Sequence, residues 1–309
     1  MNDLVLQVVL QRCAVYEQSA IKAIVETAMS ALAESNFHGK TVLLKPNLIS
    51  GGVGLACTHP QFIAAVAACF LDCGARVRLG DSPAFGSAER VCRKLGITQA
   101  LQGMDVRFVE FSTPVRKRLA GGVTVTVAQE ALDCDLLVGL PKVKAHNQMY
   151  VTLGVKNIFG VVSGVNKAML HMVHGNSHSN FAGIILDLLD ILPAQLHLAD
   201  GVLAMHISGP LDGSPLPLAC IAAAKSPVAM DTALLQALEL DPRQSPLSQE
   251  AAARKLVGSE GGDIVCPILL PQHFHGSGFI APMDLDKVRF NPFRFWRGMM
   301  KRFMLKIRP

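Results

Sequence analysis

The sequence predicts an α/β protein with a mostly parallel sheet flanked by helices, and three observations predict it. Short β-rich runs alternate with stretches of helical periodicity over the first 240 residues. Half of the residues are hydrophobic and only 17% are charged, which excludes a disordered chain and leaves ample material for a core. The polar residues able to carry chemistry gather at the ends of the strand-like runs, where open parallel sheets bind ligands.

In chain order, residues 19–34 place Ile21, Ile24, Val25, Ala28 and Leu32 at helical spacing. TVLLKPNLI (41–49) reads as a strand. Residues 60–73 read as a helix, with Thr58 as a cap, Pro60 near the first turn and Gly74 as the stop. RVRLGDSP (76–83) and DVRFVEFS (105–112) are strands on either side of a helical stretch, 87–101. GGVTVTVAQ (121–129) alternates with period two, the pattern of an antiparallel edge or an inserted hairpin. DLLVGLPKV (135–143) is a further strand. Residues 144–180 are interrupted by Gly154, Gly160, Gly164 and Gly175 and read as an irregular functional segment. The helical stretches 181–192 and 227–240 bracket two more strands, QLHLADGV (195–202) and LACIAAAKS (218–226). One domain over 1–290 is expected, followed by a separate tail over 291–309.

The net charge of +5 is unevenly placed. Arg294, Arg297, Lys301, Arg302, Lys306 and Arg308 stand in the tail without an acid, and the first 293 residues are near neutral. Basicity therefore gives no argument for nucleic-acid binding, and no nucleic-acid partner is expected. On a helical wheel the tail sets Phe295, Trp296, Met299, Met300, Phe303, Met304 and Ile307 on one face and Arg294, Arg297, Lys301 and Arg308 opposite. That pattern suits an anionic membrane surface, an acidic protein partner, or packing on the protein's own body. The longest apolar run, residues 62–71, falls well short of the roughly 20 residues of a membrane span. The first residues lack the basic start of a signal peptide. Eight cysteines occur singly, which fits packing in a reducing, cytoplasmic compartment, with the tail as a means of peripheral attachment to the inner membrane.

Four strand ends present Lys45 and Asn47, Asp81, Lys142, Lys144 and His146, and Asp200 along one rim. Lys156, Asn157 and Lys167 follow among glycines, and the lysines together suit a pocket for phosphate or carboxylate. The sequence carries neither G-x-x-x-x-G-K-[ST] nor a G-x-G-x-x-G after a strand, so the expected pocket is of neither nucleotide-binding type. His146, His171, His174 and His178 offer acid–base groups or imidazole ligands, or serve structure. His171 and His174 are the metal-ligand candidates, but no carboxylate or thiolate nearby completes the set. Asp231 stands near a helix start, as a cap or a functional acid. The Gly/Pro-rich run HISGPLDGSP (206–215) reads as a lid or a wall of the cleft.

Read in order, LLKPNL (43–48), GDSP (80–83), LPKVKAH (140–146), TLGVKNIFGVVSG (152–164), His171, ADGVLAM (199–205), SGPLDGSP (208–215) and SPVAMD (226–231) resemble the Domain of Unknown Function 362 family. The resemblance covers roughly residues 40–240 and places Lys45, Asn47, Asp81, Lys142, Lys144, His146, Lys156, Asn157, His171, Asp200 and Asp231 on family motif positions. It implies an α/β fold and no general activity. Many members carry a ferredoxin-like segment with two iron–sulfur clusters, which hints at redox metabolism. This sequence departs there: it has no C-x-x-C-x-x-C, and Cys266 stands alone before Pro267. Any electrons would come from an external ferredoxin. The cofactor, if one exists, stays open.

The expected function is an enzyme acting on a small anionic substrate, with Lys45, Asn47, Asp81, Lys142, Lys144, Lys156 and Asn157 binding it. His146, His171 and Asp200 are then the catalytic candidates. Two alternatives stand beside it: a non-catalytic assembly factor docking through its tail on a membrane or redox complex, and a metal-cofactor isomerase or lyase using His171 and His174.

Overall fold

A strand buried on both faces must be apolar on both, and TVLLKP is such a run until it reaches its lysine. In the computed structural model, which describes residues 5–83, 86–163, 167, 170 and 177–286, it forms the middle of a mixed sheet. The strands are β1 (Leu6–Arg12), β2 (Thr41–Pro46), β3 (Arg76–Leu79), β4 (Val106–Phe108), β5 (Pro114–Arg118), β6 (Thr124–Ala128), β7 (Leu136–Leu140), β8 (Lys142–His146), β9 (Tyr150–Thr152), β10 (Gln195–His206), β11 (Ser214–Leu216), β12 (Cys220–Ala224) and β13 (Ile264–Val265). The main sheet runs β13-β1-β12-β10-β7-β2-β3-β4. The run from β10 to β4 is parallel, and β12 is antiparallel to both of its neighbours. β8 pairs with the second half of β10 and folds back into β9, and β5–β6 is a separate hairpin.

The helices are α1 (Gln18–Ala31), α2 (Pro60–Asp72), α3 (Ala88–Lys94), α4 (Ile97–Ala100), α5 (Gln129–Leu132), α6 (Gly154–Ile158), α7 (His178–Asp187), α8 (Pro227–Ala237) and α9 (Pro246–Ala253). Alternation along the strands sorts the cores. Val42, Leu44, Val138 and Leu140 pack with α1 to α4 on one face. Leu43 and Leu137 point the other way, into a core with α5, α6, α7 and α9. A third cluster joins Val143, Ala145 and Val151 of β8 and β9 to α8 and β12.

The α/β fold with a mostly parallel sheet is as expected, while several boundaries differ for physical reasons. The strand expected over 135–143 is two strands, because Pro141 interrupts it and the chain steps from β7 to the far half of β10. Lys142 and Lys144 thus lie within a strand, not beyond one. The helix expected over 87–101 divides at Gly96, whose φ of 79° suits glycine. His59, not Thr58, caps α2: its side chain accepts from Gln61 N at 3.2 Å. Thr58 instead accepts from Asn47 N and donates to the carbonyl of Leu140. Residues 121–129 belong to the inserted hairpin. Of the stretch 144–180, expected to be irregular, the described part up to residue 163 holds β9 and α6. The basic tail, like His171 and His174, lies outside the described residues.

Candidate functional site

β2, β7 and β10 set Lys45, Gly139 and His197 side by side in register. Gly139 is needed there, because a Cβ at this position would stand 2.5 Å from His197 Nδ1. His197 is completely buried, and burial together with the charge of Lys45 draws its pKa down to about 3, so the ring is neutral. Among the described residues its Nδ1 has no hydrogen-bond partner.

Lys45 Nζ stands 2.9 Å from Asp81 Oδ1 and donates to the carbonyl of Pro46 and to Asn157 Oδ1 at 3.2 Å. Asp81 leaves the end of β3, and its other oxygen accepts from Leu48 N at 2.9 Å. Asn157, on α6, donates to the carbonyl of Lys45 and accepts from Asn47 Nδ2 at 3.3 Å. Asn47 Oδ1 in turn accepts from Lys144 Nζ at 2.9 Å, and Lys144 also donates to the carbonyl of Ala56 at 2.6 Å. Lys45, Asn47, Asp81, Lys144 and Asn157 therefore form one continuous network.

Lys142 and Asp200 form a second knot at the start of β8 and the middle of β10. Lys142 Nζ meets Asp200 Oδ2 at 2.9 Å and donates to Tyr16 Oη at 2.8 Å. Tyr16 donates to Asp200 Oδ1 at 2.7 Å and accepts from Leu203 N, and Asp200 Oδ2 also accepts from His59 N at 2.9 Å. The His59 ring stacks on Tyr16 at 3.6 Å. Burial and the neighbouring Asp200 push the Tyr16 phenol up. Both oxygens of Asp200 are engaged, so this knot clasps the loop after β1 onto the sheet. Sequence reasoning missed Tyr16, His59 and His197. By strand parity His197 falls on the face of QLHLAD opposite Asp200, whereas Tyr16 and His59 arrive only through the tertiary fold.

The electrostatics of the remaining lysines differ. Lys45, Lys142, Lys144 and Lys156 are all buried, and Asp81 and Asp200 pair with the first two. Among the described residues no carboxylate pairs with Lys144 or Lys156. Burial draws each of these two down to about 7; for Lys156 the charges of Lys167, Lys144 and Lys45 add to it. Burial lowers Lys45 as well, with Asp81 opposing. Lys156 Nζ lies over the rings of Phe159 at 4.8 Å and Phe181 at 5.6 Å. Thr152 is the register partner of Lys144 across β8–β9, and its buried hydroxyl has no hydrogen-bond partner among the described residues.

His146 shares the face of β8 that carries Lys142 and Lys144, and its Nδ1 accepts from Gln148 N and Met149 N at 3.1 and 3.3 Å. It stands at the far end of β8, two residues beyond Lys144. Asp231, on α8, accepts from Gly154 N at 2.7 Å and from Val155 N, holding the start of α6. Burial raises its carboxyl to about 8 against those two bonds. Lys167 Nζ donates to the carbonyl of Ser82. The run 206–215 is braced by Asn147, whose side-chain oxygen accepts from Gly209 N at 2.9 Å. A hollow of about 130 Å³ is lined by Leu48, Asp81, Glu89, Cys92, Phe108 and Glu110 among others, and by no lysine. Among the described residues no three His, Cys, Asp or Glu side chains gather as a metal site.

Comparison with known proteins places these residues in context. The family described as "Domain of unknown function (DUF362)" matches residues 42–236, which contain both knots except Tyr16. A Synechocystis sp. protein named as thylakoid-associated is 32% identical over 98% of this chain and 96% of its own length. Among solved structures, a lactate racemase apoprotein from Thermoanaerobacterium thermosaccharolyticum aligns over 74% of this chain at 13% identity with a TM-score of 0.47. A Thermotoga maritima protein aligns over 70% at 13% identity with a TM-score of 0.42. The alignments span only 56% and 57% of those two chains.

Proposed function

The chain belongs to the DUF362 family, and from that premise we propose that it binds a small phosphate- or carboxylate-bearing substrate at Lys144, Lys156 and Thr152. One observation carries the reading: two buried lysines lack a carboxylate among the described residues, beside a buried hydroxyl with no partner. Burying a cation without a counter-charge is costly, and an anion supplied by a ligand removes that cost. Lys45, Asn47 and Asn157 hold Lys144 and α6 in place, while Asp81 and Asp200 neutralise the lysines that are not used. His146, on the same face of β8, is the acid–base candidate of this site.

The test is calorimetric titration of the full chain with inorganic phosphate and with small mono- and dicarboxylates. Saturable binding that Lys144→Gln and Lys156→Gln each weaken at least tenfold is expected, and a chain that binds none of these anions would contradict the reading.

A second reading, peripheral docking on an anionic membrane, draws support from a different region. Ile207, Ile280 and Met283 are exposed, and Ile207 N donates to the carbonyl of Ile280 at 2.7 Å, close to where the basic tail begins in sequence. The relative named as thylakoid-associated is consistent with such a surface. Among the described residues no helix is long and apolar enough to cross a membrane. Flotation with phosphatidylglycerol vesicles, weakened by Met283→Glu and by removal of 291–309, is the expected result; flotation unchanged by either would count against it.

A further inference from the structure

His146 ends β8 on the strand face that carries Lys142 and Lys144. The chain turns directly after it, and that turn is pinned. Asn147 N donates to the carbonyl of Gly209 at 3.0 Å, and Asp286 N donates to the carbonyl of Asn147 at 2.7 Å. The Asn147 side-chain oxygen accepts from Gly209 N at 2.9 Å. The next two amides turn back onto the imidazole. Gln148 N donates to His146 Nδ1 at 3.1 Å. Met149 N donates to the same nitrogen at 3.3 Å and shares its hydrogen with the His146 carbonyl at 3.1 Å. His146, Gln148 and Met149 are all buried, so these bonds are shielded from solvent.

A backbone amide can only donate, so the Nδ1 lone pair must accept. The single ring proton of the neutral imidazole then belongs to Nε2. A proton on Nδ1 would face two N–H groups and deprive buried amides of their acceptor. Lys144, two residues back on the same face, also opposes a charged ring. We propose that His146 is a fixed hydrogen-bond donor of the anion site, with its Nε2–H directed to an oxygen of the bound phosphate or carboxylate, and that it does not act as a base. The proposal rests on the anion-binding reading above and assigns the part that His146 plays in it. A neutral Nε2–H polarises the oxygen it meets while keeping its proton. It joins Lys144 and Thr152 as a donor, and any base serving this site must be another group.

The full chain is isotopically labelled at histidine nitrogen and its rings are read by NMR at neutral pH, with His146 assigned through its proximity to the Met149 amide. A pyridine-type shift at Nδ1 and a pyrrole-type shift at Nε2 are expected, before and after addition of inorganic phosphate. A proton on Nδ1, alone or in a charged ring, overturns the proposal. The second measurement is calorimetric titration with phosphate. His146→Phe should weaken binding about tenfold, while His146→Gln, whose amide can donate from the Nε2 position, should stay within about threefold of wild type. Both variants lose the Nδ1 acceptor, so the difference between them reads the donor alone. Equal affinities in the two variants overturn the donor role and leave the anion site standing. A wild-type chain that binds no anion removes the anion site and the donor role with it, while the tautomer is still read from the ring nitrogens.

Discussion

Lys45 Nζ and Asp81 Oδ1 meet at 2.9 Å in the interior, with 1% and 3% of their side-chain surfaces exposed, and Gly160 lies directly against the pair. A Cβ at residue 160 would stand 2.3 Å from both charged atoms. The backbone after α6 thus closes over an ion pair that tolerates nothing larger than hydrogen.

Gly160→Ala should therefore force the pair apart or displace the backbone. Overpacking of this kind costs about 1–3 kcal/mol, and part of the Lys45–Asp81 attraction is lost with it. Thermal and urea unfolding should both show the loss. Wild-type stability in this variant would mean that the segment after α6 moves freely over the pair.

Asp200→Asn should be among the most destabilising single substitutions. It leaves Lys142 buried without its counter-charge and disturbs the bonds from Tyr16 and His59 N. Breaking a buried pair on one side costs about 3–5 kcal/mol. Adding Lys142→Met to Asp200→Asn should recover part of that loss in urea unfolding, because the uncompensated charge is gone. If the double variant is less stable than the single one, the lysine stem and Tyr16, not the charge, dominate the knot.

Much of this architecture was legible in the residues. The buried strands β2, β7 and β12 declare themselves as short apolar runs, and α2 by its Pro60 and Gly74 limits. Lys45, Asp81, Lys142 and Asp200 were visible as polar residues at strand ends. Their division into paired and unpaired lysines was not, because it depends on which carboxylate the fold delivers to which amine. β1 escaped notice because Gln7 and Gln11 interrupt the apolar run in LQVVLQR and its partner β12 lies more than 200 residues away in sequence, as their register pairs, such as Val8 with Ala224, illustrate. Period-two reading also missed that β8 begins immediately after Pro141, which moves Lys142, Lys144 and His146 from a loop onto one strand face.

Thr152→Val separates stability from binding. The Thr152 hydroxyl is buried and unpartnered, so an isosteric methyl relieves a desolvated polar group. The ligand-free variant should be as stable as wild type or more so, by about 1 kcal/mol. Its affinity for phosphate or a carboxylate should fall severalfold, since the anion loses a donor. A loss of stability with unchanged affinity would assign the hydroxyl to the scaffold.

The sign of the pH dependence follows from Lys144 and Lys156, both drawn from 10.5 down to about 7 by burial. Between those values the unfolded chain holds protons that the folded chain has released, so this contribution makes the ligand-free fold more stable as pH rises from about 7 to 10.5. Below that window both amines are charged in either state and the cost of burying them is fully present. Bound anion acts in the opposite sense: it favours the charged amines, binding takes up protons, and affinity should fall as pH rises above about 7. Asp231 and the cysteines titrate as well, so the measurement is the difference between wild type and Lys144→Met/Lys156→Met in urea unfolding at successive pH values. The stability advantage of the double variant should shrink with rising pH, and proton uptake on phosphate binding, read by calorimetry in two buffers, should be positive. A difference that stays flat from neutral to alkaline pH would show that both amines keep their protons in the fold, and would remove the electrostatic basis of the anion site.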